Sequence, residues 1–224
     1  MPTRFTNGMT TAAQGTPFGE FILPDSTQVH QFFTDFDTYT AANWTVTKTG
    51  AATEALTSGD GGLLLITNAA ADNDNSFSQN LVSAFQFEAG KKLWFDCRFK
   101  VSDATQSDVV IGLAITDTTP LAVSDAVYFW KTDDSTTIQL KTSKASTTTT
   151  TDVGTLVSDT FVRLSYYYDG ASNLFVFKDG VQVATAATTN IPTTQLCNVT
   201  FGIQNGNAVA RTMTIDYIFA AKQR

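Results

Sequence analysis

Alternation is the feature that most constrains what this chain can fold into. Leu93, Phe95, Cys97, Phe99 and Val101 take every second position of one stretch, with Asp96, Arg98 and Lys100 among the residues between them. A period of two belongs to a strand with one face on a core, because successive side chains leave a pleated backbone on opposite sides. The spacing recurs at Val109, Ile111, Leu113 and Ile115, at Val162, Leu164, Tyr166 and Tyr168, at Val199, Phe201 and Ile203, and at Met213, Ile215, Tyr217 and Phe219. Between such runs stand Asp60-Gly61-Gly62, Asp169-Gly170, Asp179-Gly180 and Asn205-Gly206-Asn207, which tolerate the positive φ of tight turns. No segment carries a helical pattern longer than a turn or two. About a dozen strands separated in this way predict an all-β fold, a two-sheet antiparallel sandwich or jelly roll. Ser143 to Asp152, with its run of threonines, reads as an exposed loop or an edge strand.

The 224 residues suffice for one sandwich with a substantial core, so no disulfide or metal staple is required. Cys97 and Cys197 fall at inward positions of their strands and read as buried free thiols. The net charge of −7 argues against a nucleic-acid partner, since neutralising phosphates takes clustered Lys and Arg, and it disfavours an anionic membrane surface. No apolar run approaches the length of a membrane helix. Residues Met1 to Gln31 show neither periodicity. They mix Thr, Gly and Pro with isolated Phe5, Phe18 and Phe21, and Met1 to Gly15 lacks the apolar stretch of a signal peptide. The expected organisation is an extended arm over residues 1–31 followed by a sandwich over residues 32–224.

From Phe161 to Val183 a strand leads into Tyr168-Asp169-Gly170, a second strand into Asp179-Gly180, and a third follows. Near the end, Val199 to Ile203 precedes Met213-Thr214-Ile215-Asp216-Tyr217-Ile218-Phe219. This ordered series resembles the concanavalin A-like, laminin-G-type lectin fold over roughly Phe32 to Arg224. The opening, Met1 to Gly8, resembles small virion proteins of tailed bacteriophages, as does Phe32-Phe33-Thr34-Asp35-Phe36-Asp37 before a Trp-bearing strand. That second resemblance implies a capsid decoration, or cement, protein on the outer surface of the virion. It would be a homo-oligomer gripping the major capsid protein and neighbouring copies of itself through Arg4, Phe5, Phe18, Phe21 and His30. The alternative is a carbohydrate-binding, lectin-like module of a phage fibre or cell-surface protein.

Catalytic signals are sparse. The glucanase branch of the lectin-like superfamily carries Glu-x-Asp-x-x-Glu on one strand, and here Glu20, Glu54 and Glu88 each stand alone. His30 is the sole histidine and has no nucleophile signature near it. One His and two distant Cys make no zinc site. The expectation is therefore no enzyme and no cofactor. Asp72 and Asp74 are weak calcium candidates, with turn residues as the plainer interpretation. Tyr128 and Trp130, two apart on one strand, share a face and form a candidate sugar platform if that face is outward.

Overall fold

The computed structural model describes residues 26–224, and over these it is two antiparallel sheets closed on one core. The strands are β1 (Val29–Thr34), β2 (Trp44–Thr49), β3 (Thr53–Thr57), β4 (Leu63–Thr67), β5 (Asn75–Asn80), β6 (Leu93–Val101), β7 (Ser107–Ala114) and β8 (Ala126–Lys131). They continue with β9 (Thr137–Lys144), β10 (Thr147–Thr155), β11 (Val162–Tyr168), β12 (Leu174–Lys178), β13 (Val181–Ala186), β14 (Asn198–Asn205) and β15 (Thr212–Gln223). No α-helix occurs among the described residues. The expected all-β sandwich is thus what forms. Its first strand opens at Val29, three residues inside the stretch read as an arm.

The back sheet runs β13-β12-β11-β6-β15-β4-β3, and the front sheet runs β10-β9-β8-β7-β14-β5-β2. Strand β15 is long enough to serve two neighbours on one side. Its first residues pair with β4, and Ile218 to Gln223 pair with β1. A bulge at Asp216 lets β15 keep its pairing with β6 across this change.

The alternating residues meet between the sheets. Phe95, Cys97, Phe99, Ile111, Leu113, Phe129, Leu164, Phe201 and Ile215 are all fully buried in one cluster. Tyr166 crosses this interior, stacked on Phe95 and donating its hydroxyl to the Val127 carbonyl at 2.9 Å, so its polar end is satisfied in an apolar setting. Cys97 and Cys197 are buried free thiols, as expected. Burial pushes the Cys197 thiol up to about 12, which keeps it protonated and unreactive. The threonine run forms β10, an exposed edge strand, and polar hydroxyls suit an edge that must not recruit another sheet.

Candidate functional site

The outward face of the front sheet is the candidate site. Register places Thr47, Phe77, Gly202, Val110, Trp130, Gln139 and Asp152 in one row across all seven strands. The next row is Thr45, Gln79, Thr200, Gly112, Tyr128, Lys141 and Thr150. Six inter-strand spacings give each row a length of roughly 29 Å.

Two glycines shape the floor. A Cβ added at Gly112 would lie 2.5 Å from the Cα and Cβ of Tyr128. One added at Gly202 would strike the Ser76 carbonyl oxygen and the Phe77 ring. The missing side chains let Tyr128 and Phe77 lean over the neighbouring strands. The segment after β7 folds back over one end of the face. Its Ile115, Leu121 and Val123 join Phe77, Val110, Ala126 and Tyr128 in a second, smaller apolar cluster. Gln79 fastens this segment from below, donating to the Ile115 carbonyl at 3.1 Å and accepting from the Asp117 N–H at 3.1 Å.

This fold-back separates the two platform residues. Tyr128 and Trp130 do share the outward face. Yet Tyr128 is fully buried, its hydroxyl 3.4 Å from the Leu121 carbonyl, and burial raises its pKa well above the usual phenol value. Trp130 alone reaches the surface, half-buried, with the Lys141 ammonium 4.7 Å from its ring centroid and 5.9 Å from that of Tyr128. Burial lowers the Lys141 pKa. Nothing in the sequence pairs Lys141 with Trp130; strand register does.

Amides and carboxylates border the aromatic centre. Gln139 donates to Asp152 at 2.6 Å. At the other end Gln204 donates to Asn73 at 3.0 Å and to Asp108 at 3.2 Å, and Asp108 also accepts from the Asp133 N–H at 2.9 Å. Burial raises the Asp108 pKa. Behind this border the Lys131 ammonium is buried on the Ser107 and Thr132 carbonyls, and desolvation brings it down to about 8.

The remaining sequence candidates lie elsewhere. Arg4, Phe5, Phe18 and Phe21 fall outside the described residues. His30 sits in β1 with its ring 4.7 Å from Phe85 of its own domain, and its Nε2 has no hydrogen-bond partner. Burial, then the charge of Arg224, lower its pKa. Asp74 is buried and Asp72 exposed, and no third acid, His or Cys joins them in a metal-binding group among the described residues.

The sequence signals also passed over the outward face of the back sheet. Trp94, Tyr167, Phe175 and Phe177 touch one another there, with ring centroids 5.5 Å apart for Trp94 and Phe177 and 5.8 Å for Trp94 and Tyr167. Arg163 donates from Nε to both Asp96 oxygens at 3.0 and 3.1 Å, and the Tyr217 hydroxyl donates to the same carboxylate at 3.1 Å.

No protein-family model matches the chain, and no curated protein matches it in sequence. Solved structures do match. A protein of unknown function from Shewanella oneidensis MR-1 superposes with a TM-score of 0.65 at 18% identity, covering 96% of this chain and 97% of that one. The carbohydrate recognition domain of Emp47p gives 0.60 at 13% identity over 88% and 97%. An endo-1,3-β-glucanase from Streptomyces sioyaensis gives 0.59 at 14% identity over 88% and 97%. The fold is a concanavalin A-like jelly roll. The expectation that the chain is not an enzyme is corrected by these matches, since the same sandwich carries a glucanase. The physical reason is that a fold does not determine chemistry: one missing carboxylate pattern excludes one active-site design, not catalysis on this scaffold. Nothing in the comparisons points to a virion protein.

Proposed function

We propose that this chain binds a carbohydrate strand across the outward face of the front sheet. The observation that carries the reading is Trp130, a half-buried ring on the third strand of a seven-strand row, with the amide of Gln139 and the carboxylate of Asp152 beside it toward the β10 edge. A pyranose presents an apolar C–H face and a rim of hydroxyls. An aromatic plane answers the first, and the flanking Gln139, Asp152, Gln204 and Thr47 supply donors and acceptors for the second. Tyr128 and Phe77 fill the space over Gly112 and Gly202, and the stretch of the row from Trp130 to Asp152 stays accessible to a ligand. The glucanase and the carbohydrate recognition domain that share the fold support the same reading. The shell-stabilising role rests on the arm, whose named contacts Arg4, Phe5, Phe18 and Phe21 lie outside the described residues, and gains no support from the comparisons.

The test is a glycan array followed by calorimetric titration of the best ligand against wild type, Trp130→Ala and Trp94→Ala. Loss of a central aromatic anchor costs about 2 kcal/mol or more, or roughly 30-fold in Kd. The reading expects that loss for Trp130→Ala and an unchanged Kd for Trp94→Ala. Equal affinity in all three proteins contradicts it. Assay of the bound glycan for newly formed chain ends then reports whether binding is accompanied by cleavage.

A further inference from the structure

We infer that the ligand is an anionic polysaccharide, one bearing uronate carboxylates, and that Lys141 is the group that receives the carboxylate. The inference rests on the front face being the carbohydrate site and goes beyond it by naming the sugar class. Lysines on the strands of the front sheet differ sharply in how they are satisfied. Lys48 pairs with Glu54 at 2.6 Å, Lys131 holds two carbonyls, and Lys144 reaches the Thr193 hydroxyl at 3.4 Å. Lys141 meets no oxygen among the described residues. Its ammonium has only the faces of Trp130 and Tyr128.

The nearby carboxylates are already engaged. Asp152 accepts from Gln139, Asp117 accepts from the Thr119 hydroxyl and N–H, and Asp108 is held by Gln204 and the Asp133 N–H. Among the described residues the face therefore offers one free cation beside its half-buried ring, on the strand adjacent to Trp130. Ring contact holds the ammonium in place without neutralising it, and partial burial removes some of its water. An incoming anionic oxygen restores what burial took away, in a charge-assisted hydrogen bond stronger than one to a neutral hydroxyl. Because the Lys141 ammonium lies over the Trp130 ring, a uronate bound at that ring brings its carboxylate within reach of the ammonium. The chain as a whole carries a charge of −7, so long-range attraction does not favour this ligand. Recognition must be local, and its salt dependence should correspond to about one ion pair rather than a polybasic surface.

The experiment titrates the full chain with a uronate oligosaccharide and with the same oligosaccharide after chemical reduction of its carboxyls, using wild type, Lys141→Met and Lys141→Arg. The inference expects wild type to bind the uronate form about 10-fold or more tightly than the reduced form. Lys141→Met should abolish that preference, bringing affinity for the uronate form down to that for the reduced form, and Lys141→Arg should retain most of it. Thermal melts matching wild type show that each variant is folded. If the reduced form binds as well as the uronate form, or if Lys141→Met keeps the preference, the inference fails and the carbohydrate reading stands. If neither form binds and no other glycan binds, both fail together.

Discussion

The two outward faces of this sandwich are both rich in aromatic and charged residues, yet they are finished differently. On the back sheet most prominent charges are answered from within, Lys100 with only the Phe161 ring 5.3 Å away being the exception among the described residues. Asp96 is gripped by Arg163 and Tyr217, Arg98 meets Asp216 at 2.5 Å while lying 4.4 Å from the Phe161 ring centroid, and Trp94, Tyr167, Phe175 and Phe177 pack on one another. On the front sheet Tyr128 and Phe77 lie close over two glycines, Trp130 stays partly exposed, and among the described residues Lys141 rests on ring faces with no anion. A surface whose groups satisfy each other gains stability and has little left for a ligand. A surface that leaves a ring and a cation unanswered forgoes that stability and retains binding capacity.

The contrast can be broken most forcefully at Gly202. In Gly202→Val the new side chain meets the Ser76 carbonyl and the Phe77 ring, neither of which can withdraw without disturbing β5. Overpacking of this kind costs about 3 kcal/mol. For a domain this size that lowers Tm by roughly 6–12 °C, measurable by calorimetry, and carbohydrate binding should fall with it. A melt unchanged from wild type would contradict the close approach described for the floor.

A smaller effect is expected on the back face. Arg163→Met strips Asp96 of its guanidinium while leaving the carboxylate largely buried beside Tyr217. Because Arg163 itself is half-exposed, the expected loss is about 1–2 kcal/mol, below that of a fully buried pair. Asp96→Asn added to Arg163→Met should recover part of it, since the uncompensated charge is then gone. Neither change should alter glycan affinity, and a shift in Kd there would blur the distinction between the faces.

Much of the architecture was legible in alternation alone. The runs through Phe95, Ile111, Leu164 and Phe201 all face the core, both cysteines are buried thiols, and the threonine run is an edge strand. The site was only half legible. That Tyr128 and Trp130 share a face follows from their spacing. That Leu121 covers one and leaves the other open depends on a loop folding back, for which periodicity gives no signal. Lys141 was invisible for a related reason: it meets Trp130 through the register of β8 and β9, and register is set by tertiary pairing. The aromatic group of Trp94, Tyr167, Phe175 and Phe177 was hidden in the same way, since Trp94 on β6 joins the β11–β12 hairpin only through strand pairing. His30 was assigned to an arm because no alternation precedes it, whereas β1 is recruited by the far end of β15.

The smallest expected effect concerns His30. Its folded pKa lies below its ordinary value of 6.5, so between those two values the unfolded chain binds more protons than the folded one. Stability should decline as pH falls below about 6.5 and level off beneath the folded pKa. Denaturant titrations of wild type and His30→Phe across this range should diverge in that direction. Parallel curves would show that His30 does not feel its buried setting.

The central claim is that ligands meet the front face, and amide chemical-shift mapping during titration with a bound oligosaccharide tests it most directly. The account predicts the largest shifts at Gly112, Thr200, Gly202, Trp130, Gln139 and Lys141, with the back face quiet. Shifts centred instead on Trp94, Tyr167 and Phe175 would contradict it and place the site on the opposite side of the sandwich.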